Sequence, residues 1–139
     1  MRIHIMCEES DQIKEELKQG HVTFDEEAEY LLIKKENNYL VLKNEMIALT
    51  DIVYLESLGH EMIIHMQNND LHLRMPLYEI SRLLNDDFLK ISKSVIIRKD
   101  QIIHAKAYFS SKFQLTMSNG DKVDVTRTYY YKFREVFGL

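Results

Sequence analysis

From Tyr30 onward the chain is a succession of short apolar blocks separated by turn residues, the pattern of antiparallel strands rather than of helices. "YLLIKKENNYLVLK" (30–43) is two apolar runs around Asn37-Asn38 and predicts a hairpin. "DIVYLES" (51–57) and "EMIIHMQNNDLHLRM" (61–75) read as further strands, with Gly59 and Asn68-Asn69-Asp70 supplying the turns. "IIHAKAYF" (102–109) continues the series. "KFQLTMSNGDKVDVT" (112–126) sets Asn119-Gly120 between alternating Phe113, Leu115, Met117 and Val123, Val125, the clearest hairpin in the chain. "IHIM" (3–6) predicts one more short strand.

Three segments carry helical spacing instead. "SDQIKEELKQG" places Ser10 as an N-cap, Ile13 and Leu17 four apart, and Gly20 as a stop. "PLYEISRLLN" opens on Pro76 and repeats Leu77, Ile80 and Leu84 at i, i+3, i+7. "TRTYYYKFREVFGL" aligns Tyr129, Phe133, Val136 and Phe137 on one face of a terminal helix that packs back on a sheet. The fold class is mainly β, with short helices.

One segment breaks the pattern. "LKISKSVIIRKDQI" (89–102) alternates as a strand, yet the parity Leu89, Ile91, Lys93, Val95, Ile97 puts a lysine where an apolar residue belongs. A buried unpaired charge is very costly. Either the strand breaks at Ser92-Lys93-Ser94, or that edge meets a partner that takes positive charge.

Composition narrows the possibilities. The 139 residues suit one domain with a short appendage, divided here as an N-terminal arm (1–27) and a main domain (28–139). No apolar run approaches the ~20 residues of a membrane span. Acidic residues follow the first apolar stretch where a signal peptide would continue, and Cys7 alone forms no internal disulfide, so the expected location is cytoplasmic. The net charge is −4, but it is unevenly placed. Residues 1–50 hold eleven acidic and six basic residues, whereas Phe88 to the end holds ten basic and four acidic. That asymmetry points to a polyanion-binding half.

Catalytic and metal chemistry find little support. His60, His65 and His72 lie in consecutive β-segments near Glu56, but without metal-ligand spacing, and His65 sits in an apolar strand where a satisfied core histidine is the commoner case. No nucleophile elbow or glycine-rich phosphate loop is present, so the chain does not read as an enzyme. No helix-turn-helix can be assembled either. Three junction residues stand out: His60 beside Gly59, Lys93 between two serines, and Arg127 past the last strand. His60 is able to donate to guanine or phosphate, and Lys93 and Arg127 to reach guanine O6/N7, Arg127 bidentately. Ser92, Ser94 and Thr126 offer hydroxyls for phosphates. Each residue taken singly also fits an ordinary turn, loop or helix-start position.

"DIVYLES", Gly59-His60 with "EMIIHM", "LYEISRLLNDDFLKISKSVII" (77–97) and "SNGDKVDVTRTYYYKF" (118–133) together resemble, in order and spacing, the LytTR family of bacterial DNA-binding domains. The resemblance runs from about Tyr30 to the C-terminus. It implies an elongated fold of antiparallel sheets with a C-terminal helix, whose loops enter major grooves of double-stranded promoter DNA. The base-reading positions fall on His60, Lys93 and Arg127, with Lys90 and Ser94 on phosphates. Arg98 stands where the family often has asparagine and is expected to add a phosphate contact. The resemblance further implies a transcription regulator bound as two copies on direct repeats, with no cofactor, metal or small-molecule substrate. The short arm in place of a receiver domain suggests a stand-alone member, some of which are restrained by an inhibitory membrane protein. The rival reading is a protein-interaction module on the same scaffold whose DNA surface has decayed.

Overall fold

The computed structural model describes residues 2–6, 10–20, 23–24, 30–33, 38–42 and 44–139. Cys7 lies outside them. The chain divides into two compact units, Met1–Asn37 and Asn38–Leu139. In the first, strands β1 (Arg2–Met6), β2 (Thr23–Phe24) and β3 (Tyr30–Ile33) form a parallel sheet in the order β2-β1-β3. Helix α1 (Ser10–Leu17) follows the apolar spacing of its sequence and closes in a 3-10 turn to Gly20, with Lys18 paired to Glu15 at 2.7 Å.

The hairpin expected over 30–43 does not form. β3 pairs with β1, while β4 (Tyr39–Leu42) pairs antiparallel with β5 (Glu45–Ala48), setting Leu40 opposite Ile47. Two apolar runs around a polar stretch establish two strands, but their partners are chosen by which sheet pairs with them. Residues 34–37, including Asn37 of the expected turn, lie outside the described residues.

The second unit is built on a five-stranded antiparallel sheet in the order β8-β7-β6-β10-β9, from β6 (Ile52–Leu58), β7 (Glu61–Met66), β8 (Asp70–Leu73), β9 (Phe88–Lys90) and β10 (Val95–Arg98). Helix α2 (Leu77–Ser81) connects β8 to β9. A three-stranded sheet of β11 (Ile102–Tyr108), β12 (Lys112–Met117) and β13 (Lys122–Val125) follows, then helix α3 (Tyr130–Phe137). The architecture is mainly β with short helices and a C-terminal helix, as the pattern predicts.

Both faces of the five-stranded sheet are buried, which is why its inner strands read as near-continuous apolar runs. One face, with Val53, Leu89, Ile91, Val95 and Ile97, packs on Phe113, Leu115, Met117, Val123 and Val125 of the second sheet and on Phe133 of α3. The other, with Leu55, Met62, Ile64 and Ile96, packs on Leu40, Ile47 and Leu49 and on Leu77 and Ile80 of α2. A register shift between Ile52 and Tyr54 turns Val53 and Tyr54 to the same cluster. Fully burying one such aliphatic side chain contributes about 1.5–3 kcal/mol.

The terminal helix keeps its expected face at Tyr129 and Phe133, which pack on the core, and departs from it beyond them. Phe133 is buried and Phe113 stacks on Tyr130 at 5.1 Å, but Val136 and Phe137 are more than a third exposed, with Phe137 against Phe133 at 4.7 Å. Only one helical turn meets the sheet. No helix among the described residues is long and apolar enough to cross a membrane.

Candidate nucleic-acid interface

The alternation that would bury Lys93 stops at Ile91. The Ile91 N–H donates to the Val95 carbonyl at 3.0 Å, closing a turn over Ser92-Lys93-Ser94. Ser92 is buried, and its Oγ accepts from the Ser94 N–H at 3.2 Å, so the side chain folds the turn locally. Lys93 is left at the apex, exposed. The serines thus shape the turn, and the lysine escapes the buried face.

Two backbone hydrogen bonds bring the other junctions beside this turn. The Ser57 N–H donates to the Ser94 carbonyl at 2.8 Å, three residues before His60. Leu58 pairs with Glu61, so Gly59-His60 is the two-residue turn between β6 and β7. Gly59 adopts φ +61°, a conformation natural to glycine, and His60 is exposed. On the other side, the Thr126 N–H donates to the Ile91 carbonyl at 3.0 Å, which fixes Arg127 next to the β9–β10 turn. Arg127 begins a 3-10 turn ahead of α3 and is exposed. The result is a row along one end of the two sheets: His60, then Lys93 and Ser94, then Arg127. Lys90, exposed at the end of β9, flanks it, and Ser94 is half-buried within it.

Arg98 lies elsewhere. It ends β10, four residues beyond Ser94, so about 13 Å along the strand at ~3.3 Å per residue. Its side chain is 8% exposed, its Nε donates to Asp100 at 2.7 Å, and its Nη2 lies 3.8 Å from Asp87. A phosphate contact from Arg98 would require breaking these pairs at the far end of the sheet. The residue instead fastens β10 to the 3-10 turn at Lys99–Gln101.

One cation that sequence reasoning passed over joins the row. Arg74, just after β8, lines a shallow cleft with Ser57, Gly59, His60 and Pro76. It is exposed, and no ion pair, hydrogen bond or ring contact engages it among the described residues. A lone arginine before Pro76 carries no motif; only the packing of β8 beside β7 brings it to His60. Arg74, Lys90, Lys93 and Arg127 are all exposed and, among the described residues, without a carboxylate partner.

A second polar cluster lies toward the opposite end of the sheets, where Tyr54 pairs with Ile97 and His65. His65 is 9% exposed, with Nδ1 2.9 Å from Asp70, Nε2 2.9 Å from Glu56, and its ring stacked on Tyr54 at 4.1 Å. Ionised carboxylates only accept, so both contacts are hydrogen bonds only when both ring nitrogens carry hydrogen. The Tyr54 hydroxyl donates to Asp121 at 3.0 Å. Burial first, and that carboxylate second, push the phenol well above its ordinary range. The cluster engages Glu56, the residue before Ser57, and joins β6, β7, β8 and the β12–β13 turn.

Residues 42–138 match the LytTr DNA-binding domain family. The chain is similar to Sensory transduction protein LytR of Staphylococcus haemolyticus, 36% identical over 62 residues that cover 45% of this chain and 24% of that protein. It is similar to Sensory transduction protein LytT of Enterococcus faecalis, 35% identical over 52 residues, 37% of this chain and 22% of that protein. A solved LytTr DNA-binding domain from Bacillus cereus shares the fold with a TM-score of 0.63 at 25% identity, over 73% of this chain and 95% of that one. These matches span only about a quarter of the length of the two curated relatives.

Proposed function

The chain belongs to the LytTr DNA-binding domain family, and on that premise we propose that it regulates transcription by binding double-stranded promoter DNA through the row at the end of its sheets. His60, Lys93 and Arg127 meet base edges in the major groove, while Lys90, Ser94 and Arg74 hold phosphates. The observation that carries this reading is the pair of backbone hydrogen bonds, Ser57 to Ser94 and Thr126 to Ile91, that unites three junctions far apart in sequence. Exposed donors on rigid sheet ends suit base recognition because little ordering remains to be done on binding. The role is recognition rather than catalysis, carried out in the cytoplasm where the DNA lies. The resemblance also supports two copies on direct repeats and restraint by an inhibitory membrane protein.

The test sets Arg127 against Lys90. A bidentate arginine–guanine contact discriminates between bases by about 1–3 kcal/mol, whereas a phosphate contact carries no direct sequence information. On a duplex selected by the full chain from random DNA, Arg127→Ala should lower specific affinity, spare binding to scrambled DNA, and relax one or two base positions. Lys90→Ala should weaken both kinds of binding by similar factors and reduce the salt slope by about one unit. Equal losses on both duplexes from Arg127→Ala would make Arg127 a phosphate clamp. Failure of the full chain to select any duplex would overturn the reading.

A further inference from the structure

The turn between β11 and β12 stands out in two respects. Phe109, at its start, is 98% exposed, the most exposed large apolar side chain among the described residues. Ser110 and Ser111 then adopt φ +73° and +56°, a left-handed conformation usually left to glycine or asparagine. Serine is an ordinary turn residue, but a fully exposed aromatic ring is not. "YFSSK" holds that ring, two hydroxyls and the exposed Lys112 at a tip.

The sheet register locates that tip. Phe113 pairs with Val125, so Lys112 is level with Thr126 and the turn projects from the same end as Arg127. The strand order β11-β12-β13 puts the tip one to two strands away from Arg127 within the same sheet. Neighbouring strands lie about 4.8 Å apart, which makes the offset roughly 5–10 Å. The major groove is about 12 Å wide. An arginine seated in that groove therefore leaves the tip at the groove wall, where deoxyribose carbons present apolar surface and phosphates accept hydrogen bonds.

We infer that the Phe109–Lys112 turn is a fourth DNA-contacting element, with the Phe109 ring against deoxyribose at the groove wall and Ser110, Ser111 and Lys112 on the adjoining phosphates. This rests on the DNA-binding reading above. A ring without hydrogen-bonding groups adds affinity through contact area and has little to say about base identity, so the element grips flanking DNA rather than reading it.

Because Phe109 touches almost nothing in the free protein, Phe109→Ala leaves the fold intact, and circular dichroism and melting should match the parent. On the selected duplex the substitution should weaken binding about three- to tenfold without changing the preferred bases. Trimming base pairs from the flank beside Arg127 should bring the parent down to the affinity of Phe109→Ala, while trimming the opposite flank should preserve the difference between them. Unchanged affinity of Phe109→Ala on the full duplex, with the parent binding normally, overturns the inference and leaves the DNA reading standing. So does unchanged affinity accompanied by a smaller sedimenting species, which would assign the tip to contact with a second copy of the chain. A parent that binds no duplex fails the DNA reading itself.

Discussion

Tyr54 shows how one buried hydroxyl ties stability to pH. Burial and its donation to Asp121 raise its proton affinity in the folded chain, so the unfolded chain loses this proton first as pH rises. The contribution is complete below the ordinary tyrosine value of about 10 and is lost as pH climbs through the folded value. Tyr54→Phe should cost about 1 kcal/mol at neutral pH, where the hydrogen bond is lost. It should also flatten the decline in stability above about pH 10 relative to the parent. Parallel declines in denaturation midpoint for the two proteins would show that Tyr54 does not supply the dependence. At this scale the sequence revealed chemistry better than surroundings. Lys93 was legible as an anomaly because its parity was wrong for burial. Arg98 was not, since a cation at a strand end looks alike whether solvent or Asp87 and Asp100 meet it. Phe109 read as the last residue of an apolar strand, because nothing in "AKAYFSSK" marks where β11 stops.

At the scale of elements, strands were easier to find than partners. The Asn119-Gly120 turn formed as read, with Gly120 at φ +90° and the Asn119 side chain bonded to Asp121 on both its donor and acceptor sides. The run around Asn37-Asn38 failed because its two apolar blocks belong to different sheets, a choice local pattern does not encode. That division sets an expectation for the N-terminal unit. The interface row draws every residue from Asn38–Leu139, and the unit Met1–Asn37 carries much of the acidic excess. Removing residues 1–37 should leave specific DNA affinity within a few-fold of the parent, since no proposed contact is lost. Abolished binding by a truncated chain that still melts cooperatively would place part of the DNA surface in the N-terminal unit.

For the whole molecule, net charge and local charge point in opposite directions. At −4 overall the chain should be repelled by DNA at long range, yet the row exposes four cations without carboxylate partners among the described residues. Binding should therefore depend steeply on salt, as cations displace condensed counterions from phosphate. With Arg74 and Lys90 on phosphates, and up to four contacts where the groove cations also displace counterions, the slope of log K against log salt should be roughly −2 to −4. A flat plot from low to physiological ionic strength would remove the electrostatic basis of the proposal. The two-faced central sheet adds a consequence of a different kind. Its interior residues are committed to two cores at once, so drift there is tightly constrained, whereas Lys93 projects from a turn whose shape is held by Ser92 and the backbone. The tip residue can change without disturbing either core. Divergence between duplicated copies of such a gene can therefore proceed by rewriting a few tip residues, so that new promoters are acquired while the scaffold stays as it was.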